Sequence, residues 1–156
     1  MKQFKNRIYE ILKDEGFAGN MEVIHSLPAK KTVNALISLL YHPNQTVKQN
    51  GIYAIGAVVS KIAEKNMEYA RVIMRRLMWS LNDESGGIGW GAPLAMAEIM
   101  AQNNKLAEEY CKILISYALE DRNPIDFKEL KQEVILGLKR LNLVRPDLLS
   151  DVAHLL

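Results

Sequence analysis

A period of about forty residues constrains this chain more than any other feature of its sequence. Ala54-Ile55-Gly56-Ala57-Val58 is followed 41 residues later by Ala95-Met96-Ala97-Glu98-Ile99, and a further 40 residues on by Ile135-Leu136-Gly137-Leu138. The turns before these segments recur at a similar distance: His42-Pro43-Asn44, then Asn82-Asp83-Glu84, then Asp121-Arg122-Asn123. Each unit reads as a helix, a turn with Pro, Asn or Asp, and a second helix with small residues in mid-course. Small residues let helices approach closely. A lone helix pair leaves an apolar face uncovered, so neighbouring pairs must stack.

Apolar residues fall at helical spacing nearly everywhere, with no sustained strand alternation and no Asn-Gly hairpin pair. Phe4, Ile8, Ile11 and Leu12 form the first stripe, which Gly16 is expected to end as a C-cap. Met21 to Leu27 is a short helix, and Pro28 opens a third that carries Val33, Leu36, Ile37 and Leu40. Asn44 is the expected N-cap of a long helix whose inward stripe is Val47, Gly51, Ala54, Ile55, Val58 and Ile62. Asn66 caps the next, through Leu81; a polar glycine-rich loop, Asn82 to Gly91, leads into a helix ending near Gln102. Asn104 is the expected cap of the helix through Tyr117, and Asp126 with Glu129 has capping-box spacing before the helix to Leu141. Pro146 opens a short last helix. The expectation is an all-α chain, a single domain over residues 1–156.

The pattern resembles HEAT repeats, in particular the short repeats named after phycobilisome lyase subunits. The residues that carry it are Leu36-Ile37, Leu40, Pro43-Asn44, Val47 and Ala54-Ile55-Gly56. A second copy runs over Leu77, Leu81, Asn82-Asp83, Ala92 and Ala95-Met96-Ala97, and a degraded third over Leu114 to Leu138. Trp79 to Pro93 is similar to a segment of small uncharacterised HEAT-like proteins of anaerobic bacteria and archaea. The resemblance implies an α-α superhelix, a HEAT/ARM-like solenoid of about three helix pairs with capping helices. It implies no activity, because nothing here points to a bilin and fold alone does not carry function.

HEAT-like proteins usually bind along the concave face formed by the second helix of each pair. The side of the long helix opposite its apolar stripe carries Gln49, Tyr53, Gly56 and Ser60, and one period on stand Trp90, Leu94, Ala97 and Ala101. The expected site is therefore Tyr53, Trp90 and Leu94, with Asn82, Asp83, Glu84 and Glu98 beside them. Exposed aromatics are common binding anchors. The competing arrangement folds Trp90 back over the loop or the core.

Chemistry is sparsely represented. Asp83, Glu84 and Glu98 are the acid–base candidates, but no nucleophile accompanies them, so no catalytic residue is assigned. His25, His42 and His154 are dispersed, and neither metal nor cofactor is expected. Gly87-x-Gly89-x-Gly91 lacks the strand and the Lys-Ser/Thr of a nucleotide fingerprint. Its bland reading is a structural turn; its sharper one is a small-ligand site at a helix N-terminus. Arg71, Arg75 and Arg76, with Lys61 and Lys65 nearby, are the densest basic cluster, expected on a solvated face and partly neutralised by Glu64 and Glu68. Cys111 is the only cysteine and reads as core; with no disulfide possible, a reducing cytoplasmic setting is expected.

The leading expectation is a non-catalytic protein–protein interaction or scaffold module whose partner is a protein or peptide. A second copy of the chain is another use of the same patch. The runner-up is nucleic-acid binding of the kind seen in HEAT-like DNA glycosylases. A net charge of +2, from 20 basic and 18 acidic residues, gives that reading little support. No membrane partner is expected.

Overall fold

The computed structural model describes residues 2–17, 21–81 and 89–156. All regular structure among them is helical: α1 (Lys2–Leu12), α2 (Met21–His25), α3 (Ala29–Leu39), α4 (Gln45–Lys65), α5 (Met67–Leu81), α6 (Ala92–Gln102), α7 (Asn104–Ser116), α8 (Lys128–Val144) and a terminal 3-10 helix (Pro146–Leu155). No described helix is long and apolar enough to cross a membrane.

Local chemistry sets the boundaries. Asn44 caps α4 by accepting the Val47 N–H at 3.1 Å, and Asn66 caps α5 through the Tyr69 N–H at 3.1 Å. Three expected boundaries shift. Asn103 rather than Asn104 caps α7, its Oδ1 accepting the Leu106 N–H at 2.9 Å. Phe127 occupies the N-cap position of α8 and no side chain caps it, so Asp126 and Glu129 form no capping box there. At the other end of the chain, α1 stops at Leu12, and Gly16 instead donates its N–H to Asp14 Oδ1 in the following turn.

The helices pack in two layers, and the inner one, α4, α6 and α8, runs parallel. Hydrogen bonds fix the register: Gly91 lies level with Glu133, Ser60 with Gln102 and Glu98 with Arg140, all 42 residues apart. These contacts lay α4, α6 and α8 side by side in one direction. In the other layer Asn34 of α3 meets Arg76 of α5, and Arg71 of α5 meets Glu109 of α7.

The core lies between the layers and is centred on α6, where every residue from Ala95 to Ala101 is buried. A helix buried nearly all round is apolar nearly all round, and α6 reads Ala-Pro-Leu-Ala-Met-Ala-Glu-Ile-Met-Ala-Gln, polar only at Glu98 and Gln102. Glycines bring its neighbours close. A Cβ on Gly56 of α4 would lie 2.7 Å from both Glu98 Cγ and Gln102 Nε2, and one on Gly137 of α8 would lie 3.0 Å from Ala97 Cβ. The small residue recurring in the sequence period is thus where the inner helices touch. The inward stripe expected for α4 is also buried, apart from Ile62, which is partly covered. Gly56, expected on the opposite, open side, is buried as well, because α6 rests on it.

Candidate functional site

The entry to α6 is built from parts far apart in sequence. Gly91 is its N-cap residue at φ +82°, and the Ala92 N–H donates to Gly89 O at 3.0 Å. A Cβ on Gly91 would sit 2.9 Å from Leu40 Cβ, so a residue without a side chain is needed on both conformational and packing grounds. The Gly91 N–H points at Glu133 Oε1, 2.9 Å away, and Lys48 Nζ reaches Glu133 Oε2 at 3.3 Å. Glu133 is only 8% exposed. A carboxylate at a helix N-terminus meets unpaired N–H groups and the positive end of the helix dipole. The place a ligand anion would take at Gly91 is filled from within.

The exit of α6 is capped in the same manner with opposite charge. Arg145 donates through Nε to Met100 O at 2.7 Å and through Nη2 to Ala101 O at 3.0 Å, while Nη1 reaches Asn104 Oδ1 at 3.1 Å. A guanidinium on the last carbonyls suits the negative end of the dipole.

Between these ends Glu98 is 7% exposed. Arg140 grips it with two hydrogen bonds, Nε to Oε1 at 3.0 Å and Nη2 to Oε2 at 3.2 Å. Gln102 Nε2 donates to Glu98 Oε2 at 2.8 Å and approaches Tyr53 O at 3.4 Å. This pairing raises the Arg140 pKa and fixes the guanidinium as a cation. Glu98 is therefore a fully engaged carboxylate that ties α6 to α8.

The expected site residues separate into distinct surroundings. Tyr53 is 44% exposed, with its ring edge-on to Phe17 at 6.4 Å. Trp90 is half-buried and meets Phe127, itself 44% exposed, edge-on at 5.4 Å. Leu94 is half-buried. Asn82, Asp83 and Glu84 lie outside the described residues. Ala97 and Ala101, placed by the period on the same face, are buried, Ala97 against Gly137 of α8.

Sequence reading did not single out Glu133, Lys48, Arg140, Gln102 or Arg145. A signal existed for Glu133: it is a charge inside the apolar stripe Leu130, Val134, Leu138, Leu141, and such a charge needs a buried partner. Nothing local could name Lys48, which is 85 residues away.

The basic cluster on α5 is paired. Arg71 makes a two-pronged contact with Glu109 at 2.8 and 2.9 Å, and Arg75 reaches Glu68 at 2.8 Å. These partners lower the carboxyl pKa of Glu68 and Glu109 and raise those of both arginines. Of the two partners expected, Glu68 pairs with both arginines and Glu64 forms no ion pair among the described residues; Glu109 was not foreseen. Cys111 is buried against the terminal 3-10 helix, its Sγ 3.7 Å from Leu148 O, and burial raises its pKa. No group of three or more His, Cys, Asp or Glu among the described residues is placed to hold a metal ion.

No family model matches this chain, and no solved structure matches it. Among curated proteins, an uncharacterised protein of Archaeoglobus fulgidus is 35% identical over 89 residues, which cover 54% of this chain and 45% of that protein. The match thus takes in less than half of its relative's length.

Proposed function

We propose that this chain is a HEAT-like repeat domain acting as a non-catalytic interaction module in the cytoplasm, with a protein or peptide as its partner. The parallel inner helices and the contacts recurring at 42 residues support the repeat reading. The observation that carries the binding reading is the Trp90–Phe127 pair. Two large aromatics meet edge-on at the entry to α6 with neither fully buried, although the core beside them is closely packed. Aromatic side chains bring large contact area at low entropy cost, so a half-exposed pair on a rigid helix end is suited to anchoring a partner. Tyr53, which meets Phe17, is a separate exposed aromatic on the inner layer. Glu98 acts inside it as a tie between helices.

Capture from the native host, followed by titration of the purified partner, tests this reading. Trp90→Ala and Phe127→Ala are each expected to weaken binding about tenfold or more, a loss of about 1.4 kcal/mol. Trp79→Ala removes an aromatic that is 68% exposed on α5, in the other layer, and is expected to leave binding unchanged. Equal affinity for wild type and Trp90→Ala overturns the assignment of this surface.

A further inference from the structure

A cavity of about 310 Å³ opens between α2, the start of α3, the end of α4 and the start of α5, at the opposite end of α4 from Lys48. Its apolar lining includes Ile24 and Val58, both essentially buried, with Leu27 and Ile62 beside them. Its polar lining is Lys30, Lys61 and Lys65 with His25, Asn66 and Tyr69, and the lysines make its charge positive. No Asp or Glu lines it, and among the described residues none of these lysines forms an ion pair. Lys30 Nζ lies 4.9 Å from the centre of the Tyr69 ring, which holds one cation at the wall.

Lys30, Lys61 and Lys65 are exposed at the mouth of the hollow, where their charges are open to an anion. The arginines of α5 are paired with Glu68 and Glu109. Here three gather around one hollow without a counter-charge. Burial, and then the charge of Lys61, holds His25 below its ordinary pKa, so the imidazole senses both the apolar lining and the cations. The volume is at the lower end of small-molecule sites, which are typically about 300–1,000 Å³ and mostly apolar with a few convergent polar groups.

We propose that this cavity binds a small amphiphilic organic anion, with its charged head on Lys30, Lys61 and Lys65 and a short apolar body against Ile24, Val58 and Ile62. The site is independent of the Trp90 surface. The head neutralises the lysine cluster, and the body displaces water from the apolar lining. Neither half alone accounts for the hollow.

Octyl phosphate below its micellar concentration, inorganic phosphate and octanol are the three probes. Binding is read from the His25 imidazole signals and their pH titration by NMR. Octyl phosphate is expected to bind at least tenfold more tightly than either fragment and to raise the His25 pKa, because the bound anion offsets Lys61. Lys61→Gln with Lys65→Gln is expected to weaken it tenfold or more. Lys128→Gln with Lys139→Gln, on α8, is the charge-matched control and is expected to leave it unchanged; thermal unfolding checks that both variants fold. Equal binding of inorganic phosphate reduces the site to a surface-ion contact, and equal binding of octanol reduces it to an apolar hollow. Either result, no response at His25, or equal loss in the α8 control overturns the proposal.

Discussion

The carboxylate of Glu133, on α8, accepts the N–H of Gly91, 42 residues earlier in the chain, at 2.9 Å and so caps α6. Its second oxygen holds Lys48 of α4 at 3.3 Å, so one buried side chain joins all three inner helices. Glu133→Ala removes the cap and strands Lys48, whose side chain is 18% accessible. It is expected to cost about 2–4 kcal/mol in urea denaturation. Glu133→Gln keeps an acceptor for Gly91 and should cost less. A double-mutant cycle with Lys48→Met should show coupling above about 1 kcal/mol. Additive losses would mean that the ion pair contributes nothing beyond the cap.

The glycines of α4 offer a sharper contrast. Gly51 has room: an added Cβ would meet Leu12 Cδ1 at an ordinary 3.6 Å. Gly51→Ala is expected to stabilise the protein by about 0.5–1 kcal/mol, the usual gain in helix propensity. Gly56, only five residues on, has none, since its Cβ would meet Glu98 Cγ and Gln102 Nε2 at 2.7 Å and Glu98 O at 3.1 Å. The Glu98 backbone cannot move away alone, and its side chain is fixed by Arg140. Gly56→Ala should lose about 1–3 kcal/mol despite its better propensity. Stabilisation by both substitutions, measured by thermal unfolding, would show that α6 is not pressed against α4.

These glycines also mark how far the sequence could be read. Period, stripes and the caps at Asn44 and Asn66 depend on neighbours within a few residues, and those features were legible. The recurring small residue was visible too, but not its consequence: Gly56 was placed on an open face because the third helical side of α4 has no local signature. The same limit hid the ends of α6. Glu133 and Arg145 satisfy its N–H and carbonyl groups from more than forty residues away, where helical spacing says nothing about distance. Tyr53 and Trp90 were recognisable as aromatics off the main stripe, whereas Phe17 and Phe127, which meet their rings, came from turns with no periodic pattern.

The titration of His25 yields a pH dependence with a definite sign. Burial and Lys61 lower its folded-state pKa below 6.5. Between that lowered value and 6.5 the unfolded chain binds more protons than the folded one, so stability rises with pH across the window. Stability from this group is complete above about pH 6.5 and falls as the pH drops towards the folded-state pKa. His25→Gln should remove this component, while the acid-side loss from Glu68 and Glu109, whose carboxyls are held below their ordinary range, continues at lower pH. Urea midpoints at half-unit steps from pH 5 to pH 8 check it. An unchanged slope between pH 5.5 and 6.5 in the variant would assign that slope to other groups.

Cys111 reports on the docking of the terminal 3-10 helix. Its thiol is 3% exposed, faces Leu148 O, and is held in the protonated form by burial. Reaction with a thiol reagent requires the thiolate and a path to it, so labelling of the native protein should be at least about 100-fold slower than that of a free cysteine, corresponding to an opening free energy of about 2.7 kcal/mol or more. The nearest wall is the segment Pro146–Leu155, anchored by Leu149 and Val152, both buried. Leu149→Ala leaves a void in that contact and is expected to cost about 2–5 kcal/mol locally. If the segment opens as its own unit, labelling should accelerate tenfold or more while the urea midpoint read from α4 to α6 moves little. Labelling that accelerates only in step with global unfolding would instead make the last helix an integral part of the cooperative stack.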